Sequence, residues 1–362
     1  MILCHHFVFE RFWGGATGPV AVVTSPLFST SESLMMKSLF LTFQVLPLTL
    51  AAGAQTPVYD PVAVAAIPPK VVDLTAHDAA RQRDLPLRVY LPTNPAPAPV
   101  ILFSHGLGGS RAGSRFLGEH WAARGYVAVF LQHPGSDESV WQDTPEADRL
   151  AALTRAASLQ NFVLRARDVP AVLDQLEIWN TETNHPLAGR MNLKKIGMSG
   201  HSFGAVTTEA VSGEFLPLSG QRLTDARITA AMAFSPSPPK SGNAAAAFGA
   251  VKIPWMLMTG TRDNSPIGET DVPSRLTVYP SLRLAPKYEV VLHNAEHSVF
   301  TDRALPGDQE PRNPNHHRVI LALSTAFWDA YLREDAAARA WLDSDRPRAA
   351  MEAADHWQFA AP

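Results

Sequence analysis

Short apolar runs recur along this chain at intervals wide enough to hold a helix between them, and this spacing limits its fold more than any other feature. Val100–Ser104, Val127–Gln132, Lys195–Ser199, Ile228–Phe234, Trp255–Thr259 and Tyr288–His293 are short apolar segments. Several show no polar alternation, as expected of strands covered on both faces. Val71–Thr75 and Leu87–Leu91 read as an opening antiparallel pair. Amphipathic stretches lie between the runs. Ser114–Arg124 ends at Gly125, and a helix from Asp168 places Val169, Val172, Leu173 and Leu176 on one face, with Pro170 near its start. Phe203–Ser212 follows the fifth strand, and His317–Arg333 forms a closing helix with a charged tail after it. The pattern predicts an α/β fold, with a mostly parallel eight-stranded sheet carrying helices on both faces.

The alternation begins near residue 60, and residues 55–362 read as a single domain. Upstream, Met36-Lys37 precedes a short apolar stretch from Ser38 to Leu50, followed by Ala51-Ala-Gly-Ala54. A basic start, an apolar centre and small residues at the end make a signal peptide over about 36–54, with cleavage after Ala54 and export to the periplasm or medium. The run is too short to span a bilayer stably, so no stable membrane insertion is expected. Residues 1–34 show no periodicity and stand before a complete signal, so they read as a start assigned too far upstream.

Composition removes several classes of function. The net charge of −3 comes without any basic stripe, which argues against a nucleic-acid partner. Cys4 is the sole cysteine, so neither an intramolecular disulfide nor a thiol nucleophile within the domain is expected. His5-His6 and His316-His317 are pairs without further ligands at metal spacing, so neither metal nor cofactor is expected. Oligomeric state is open.

The strongest local motif is Gly200-His-Ser-Phe-Gly204, between an apolar strand and a helical segment. A serine hydroxyl is a weak nucleophile, and a sharp strand-to-helix turn flanked by glycines presents it near a base and near backbone donors. Ser202 is therefore the candidate nucleophile. A second glycine turn, Ser104-His-Gly-Leu-Gly-Gly109, ends the third strand. Its Leu107 amide and that of Phe203, the residue after the serine, are the candidate oxyanion donors. No Lys-Ser/Thr pair follows those glycines, which argues against a phosphate cradle.

An acid and then a histidine base should follow the serine in the chain. Asp263 lies just past the seventh strand, where open α/β sheets place their sites, and His297 lies four residues past the eighth. Asp271 and His293 are the competing acid and base. His293 sits within its strand, whose side chains face the sheet surfaces rather than its edge. His133, Trp141 and Phe300 are candidates for the substrate pocket, though His133 also reads as a structural histidine. Any lid must come from residues 134–159 or 264–286, both too long for simple turns.

Taken as a set, these motifs resemble the bacterial dienelactone-hydrolase-related carboxylesterases, which are cousins of plasma-type platelet-activating-factor acetylhydrolase. Gly260-Thr-Arg-Asp263, Ala295-Glu-His297, Arg83-Asp-Leu-Pro-Leu-Arg-Val-Tyr-Leu-Pro92 and Arg167-Asp-Val-Pro-Ala-Val-Leu-Asp174 belong to the same set, which covers roughly residues 70–340. The resemblance implies an α/β-hydrolase fold and a cofactor-free Ser-Asp-His triad acting on small or polymeric carboxylic esters. Some secreted relatives are similar to polyester-degrading esterases; a phospholipid ester or an amide is the alternative substrate. Two departures stand out. Dienelactone hydrolases use a cysteine where this chain has Ser202, and Ala205 replaces the second glycine usual after the acetylhydrolase elbow.

Overall fold

The computed structural model describes residues 58–216, 220–240, 242–265, 267–305 and 307–362. The expected signal peptide over 36–54 and the segment before it lie outside the described residues. Eleven strands occur among the described residues: β1 (Lys70–Asp78), β2 (Arg83–Leu91), β3 (Ala98–Ser104), β4 (Val127–Leu131), β5 (Met191–His201), β6 (Phe215–Leu216), β7 (Gln221–Arg222), β8 (Ile228–Phe234), β9 (Trp255–Arg262), β10 (Lys287–Glu296) and β11 (His356–Ala360). Nine form one sheet in the order β1-β2-β4-β3-β5-β8-β9-β10-β11, and β6 and β7 form a separate ribbon. The pairs from β4 through β3, β5, β8 and β9 to β10 are parallel. Contacts β1–β2, β2–β4 and β10–β11 are antiparallel.

The sheet therefore has nine strands rather than eight. The addition, β11, lies in what reads from sequence as a charged tail. It is short and at the sheet's edge, so it carries no apolar run. Trp357 and Phe359 hold it instead, with ring centroids 5.9 and 6.3 Å from that of Tyr288 on β10.

The helices are α1 (Arg115–Arg124), α2 (Ser139–Gln142), α3 (Glu146–Ala156), α4 (Leu159–Thr181), α5 (Phe203–Val211), α6 (Ala244–Phe248), α7 (Val272–Arg275), α8 (Val278–Ser281), α9 (Pro314–Leu332) and α10 (Ala336–Leu342). They cover both sheet faces, which explains the unbroken apolar strands. On β3, Ile101 and Phe103 join a core with Trp121 of α1 and Phe327 and Trp328 of α9. Their neighbours Val100 and Leu102 face the other way, onto Val169, Val172 and Leu173 of α4. Period-two alternation survives, with apolar residues on both sides.

Several strands run longer than their apolar runs, β10 as far as Glu296 so that His297 follows it directly, and two helices start earlier. Helix α4 starts at Leu159, capped by the Ser158 side chain on the Asn161 amide, and Pro170 lies inside it rather than near its start. Helix α9 begins at Pro314, whose missing N–H costs nothing at the first helical position, after an Asn313 cap. None of the described helices is long and apolar enough to cross a membrane.

Candidate active site

The parallel strands β5, β9 and β10 bring three distant residues to one sheet edge. Ser202 follows β5 with φ 57 and ψ −116, a positive-φ conformation that a residue with a Cβ adopts only at a cost. The turn closes tightly. A Cβ on Gly204 would collide with the Ser104 carbonyl, and one on Gly200 with the Gly204 carbonyl. Asp263 follows β9, and His297 opens a short 3-10 turn, His297–Phe300, after β10.

These three form one chain of hydrogen bonds. Ser202 Oγ lies 2.8 Å from His297 Nε2, and His297 Nδ1 lies 2.6 Å from Asp263 Oδ1. Asp263 is fully buried, and its second oxygen accepts the Thr259 hydroxyl at 2.7 Å. Burial alone would raise its pKa. The His297 hydrogen bond and the nearby Arg275 guanidinium outweigh burial and hold the carboxyl well below its usual range. An ionised Asp263 accepts only, so Nδ1 carries the imidazole proton and Nε2 is left to accept from Ser202.

The first glycine turn lies against the nucleophile. Gly106 passes so close that a Cβ there would sit 3.4 Å from the Ser202 Cβ. The Leu107 and Phe203 amides donate to no protein acceptor among the described residues, and both residues are only half-buried. Phe203 opens α5, where amides have no intrahelical acceptor. Two unpartnered donors thus belong to the segments that flank Ser202.

The competing acid and base stand elsewhere. Asp271 caps α7, accepting the Ser274 amide at 2.9 Å. His293 is exposed, and its own amide donates to Asp355.

Two of the pocket candidates are fully buried, which leaves His133 its structural reading and moves Phe300 into the core. His133 is fully buried between Ser104 (2.9 Å) and Asp168 (2.9 Å), because the end of β4 points its ring beneath the glycine turn. Phe300 is also fully buried; the 3-10 turn drives it inward against Phe234, at 5.1 Å between centroids, and His201, at 5.6 Å. Trp141 stays half-buried in the 134–159 segment, and its indole Nε1 donates to the Gly108 carbonyl at 2.7 Å. This segment folds as α2 and α3, and 264–286 holds α7 and α8.

Two arginines at the site were not foreseen. Arg275, buried at the end of α7, donates from Nε to the Asp263 carbonyl at 2.8 Å and lies 3.3 Å from its carboxylate. Its Nη1 donates to the carbonyls of Ser235 and Pro236. Arg165, buried on α4, faces the underside of both donor segments. Arg165 lies four residues before Val169 and eight before Leu173, so its place on the apolar stripe could have flagged it. Starting the helix at Asp168 hid that. No cluster of three or more His, Cys, Asp or Glu suited to a metal occurs among the described residues. Compared with protein-family models and with curated proteins, the chain gives no match.

Proposed function

We propose that this protein is a serine hydrolase of the α/β-hydrolase fold that cleaves carboxylic esters through an acyl-enzyme. The observation that carries the reading is the continuous Ser202–His297–Asp263 relay, built on a strained elbow beside two unpartnered amide donors. The sheet order, with two antiparallel strands leading into a parallel run, supports the fold assignment.

In this mechanism Ser202 Oγ attacks the substrate carbonyl carbon while its proton passes to His297 Nε2. Negative charge moves onto the carbonyl oxygen, and the Leu107 and Phe203 amides stabilise it. Such donors are worth about 3–4 kcal/mol each because they act on charge that exists only in the transition state. The tetrahedral intermediate collapses as His297 Nε2 returns the proton to the leaving alcohol. Water then repeats the sequence on the acyl-enzyme and releases the acid. Asp263 stays ionised throughout, fixing the imidazole tautomer and stabilising the imidazolium. We also assign export to the 36–54 segment, so that mature protein from the medium or periplasm should begin at Gln55 on N-terminal sequencing.

A kinetic panel on the mature protein tests the bond and substrate class. It comprises p-nitrophenyl acetate and butyrate, a phospholipid, a soluble polyester and an anilide. Turnover of the p-nitrophenyl esters that disappears in Ser202→Ala is expected. Turnover of the anilide alone would move the assignment to an amidase, and a folded protein inert on the whole panel would contradict it.

A further inference from the structure

Arg165 is fully buried, yet among the described residues no carboxylate pairs directly with its guanidinium. A buried arginine ordinarily binds a carboxylate, because an unpaired cation in the interior is costly. The nearest acid in sequence on α4, Asp168, is occupied by others. Arg81 Nη1 reaches it at 2.8 Å, Arg83 Nε at 2.9 Å and His133 Nδ1 at 2.9 Å.

The Arg165 donors go instead to three separate segments. Nη2 donates to the His105 carbonyl and, at 3.0 Å, to Ser104 Oγ, both at the start of the glycine turn. Nη1 donates at 3.0 Å to Ser136 Oγ, in the loop after β4. Nε donates at 3.1 Å to Thr207 Oγ1 on α5, and the guanidinium carbon lies 4.7 Å from the Phe203 ring centroid. The Ser136 carbonyl in turn accepts the Gly108 amide at 2.9 Å. Leu107 thus lies between two residues tied to Arg165 or its partner, and Phe203 packs on it directly. Burial draws Arg165 down to about 9, which leaves it cationic at neutral pH.

We infer that Arg165 is a positioning residue that fixes the Leu107 and Phe203 amides relative to one another, so that both point at the same oxyanion. This rests on the reading of those amides as the oxyanion donors. One planar side chain spans the two segments from below. Lysine keeps the charge but lacks the fork of donors and the flat face that meets Phe203. A small displacement of either amide weakens stabilisation of the transition state without removing the substrate's other contacts.

The test compares Arg165→Lys, Arg165→Met and the milder Ser136→Ala with the unmodified protein on p-nitrophenyl butyrate and its thionoester. Sulfur is a poor hydrogen-bond acceptor, so the ratio of oxygen-ester to thionoester rates reads the oxyanion donors rather than general packing. The unmodified protein should favour the oxygen ester strongly. Arg165→Lys should lose about 10²-fold in kcat, with KM changed less than about threefold and the oxygen-to-sulfur preference reduced by at least about tenfold. Ser136→Ala should shift the same ratio in the same direction by a smaller factor, so the inference stays testable if Arg165→Met does not fold. A folded Arg165→Lys with unchanged preference would leave Arg165 a merely structural residue and overturn the inference, while the hydrolase reading survived. An unmodified protein that turns over esters without any oxygen preference would remove the oxyanion assignment, and the inference with it. Loss of all turnover in the unmodified protein would sink the hydrolase reading itself.

Discussion

Two serine–histidine–aspartate relays lie side by side in this molecule, on either side of the same glycine turn. In one, Ser202, His297 and Asp263 are linked at 2.8 and 2.6 Å. In the other, Ser104, His133 and Asp168 are linked at 2.9 and 2.9 Å. Bond lengths alone do not separate them; surroundings do. Ser104, His133 and Asp168 are all 0% exposed, and Arg165 donates to the Ser104 hydroxyl. A hydroxyl that accepts a cation's hydrogen bond is a weaker nucleophile, and full burial leaves this one no opening to solvent. Burial and the Arg165 charge pull His133 down to about 4, so it stays neutral and only bridges its neighbours. Ser202 instead stands on a positive-φ turn, partly open and beside two amides with no protein acceptor among the described residues. A triad-shaped chain of hydrogen bonds is thus a frame in one place and a candidate active site in the other. Access, strained presentation and two amides without a protein acceptor among the described residues make the difference.

Removing each serine should break the symmetry most strongly. Ser202→Ala is expected to lose at least about 10⁴-fold in kcat, whereas Ser104→Ala should lose no more than about tenfold, as measured on p-nitrophenyl butyrate. The two acids should separate next. Asp263→Asn should reduce kcat by about 10⁴-fold through the wrong imidazole tautomer, with its melting temperature much less affected. Asp168→Asn should do the reverse. It strips a hub that receives Arg81, Arg83 and His133, so a stability loss of about 3–5 kcal/mol is expected in urea titrations.

A smaller effect separates the two relays by pH. Burial would raise the Asp168 pKa, but the His133 hydrogen bond and the Arg83 charge outweigh it and bring it to about 2. A folded-state value below the unfolded one stabilises the protein above pH of about 4, and that contribution is lost as pH falls toward 2. The unmodified protein should therefore lose about 2 kcal/mol more between pH 4 and pH 2 than Asp168→Asn does. Equal slopes in the two proteins would refute this role for Asp168. The smallest effect belongs to Trp141. Trp141→Phe keeps an aromatic ring under Arg149 but removes the indole hydrogen bond to Gly108, and a drop in kcat of about fivefold is expected from a bond worth about 1 kcal/mol.

The strands that carry the relay were legible because apolar runs end where the chain turns to the sheet edge. Asp263 and His297 could then be placed by their distance past β9 and β10. Sequence periodicity says nothing about a strand such as β11, which pairs at an edge through two aromatics. It also failed at α4, where Pro170 set the expected start nine residues late. That start concealed Arg165, a charged residue on an apolar stripe, and with it the frame beneath the glycine turn. Phe300 was placed in the pocket for a related reason, and His133 kept two readings for the same one. Residues just past a strand end turn either outward to the cleft or inward to the core, and the sequence marks both alike. Arg275 had no signal, since it ends α7, a four-residue helix too short to show a period.

Covalent labelling with a fluorophosphonate, followed by peptide mapping of the adduct, tests the difference between the two serines most directly. A single phosphonyl adduct on Ser202 is predicted, absent from Ser202→Ala and retained by Ser104→Ala. An adduct on any other residue, or no adduct on the folded protein, would contradict the assignment of Ser202 as the nucleophile.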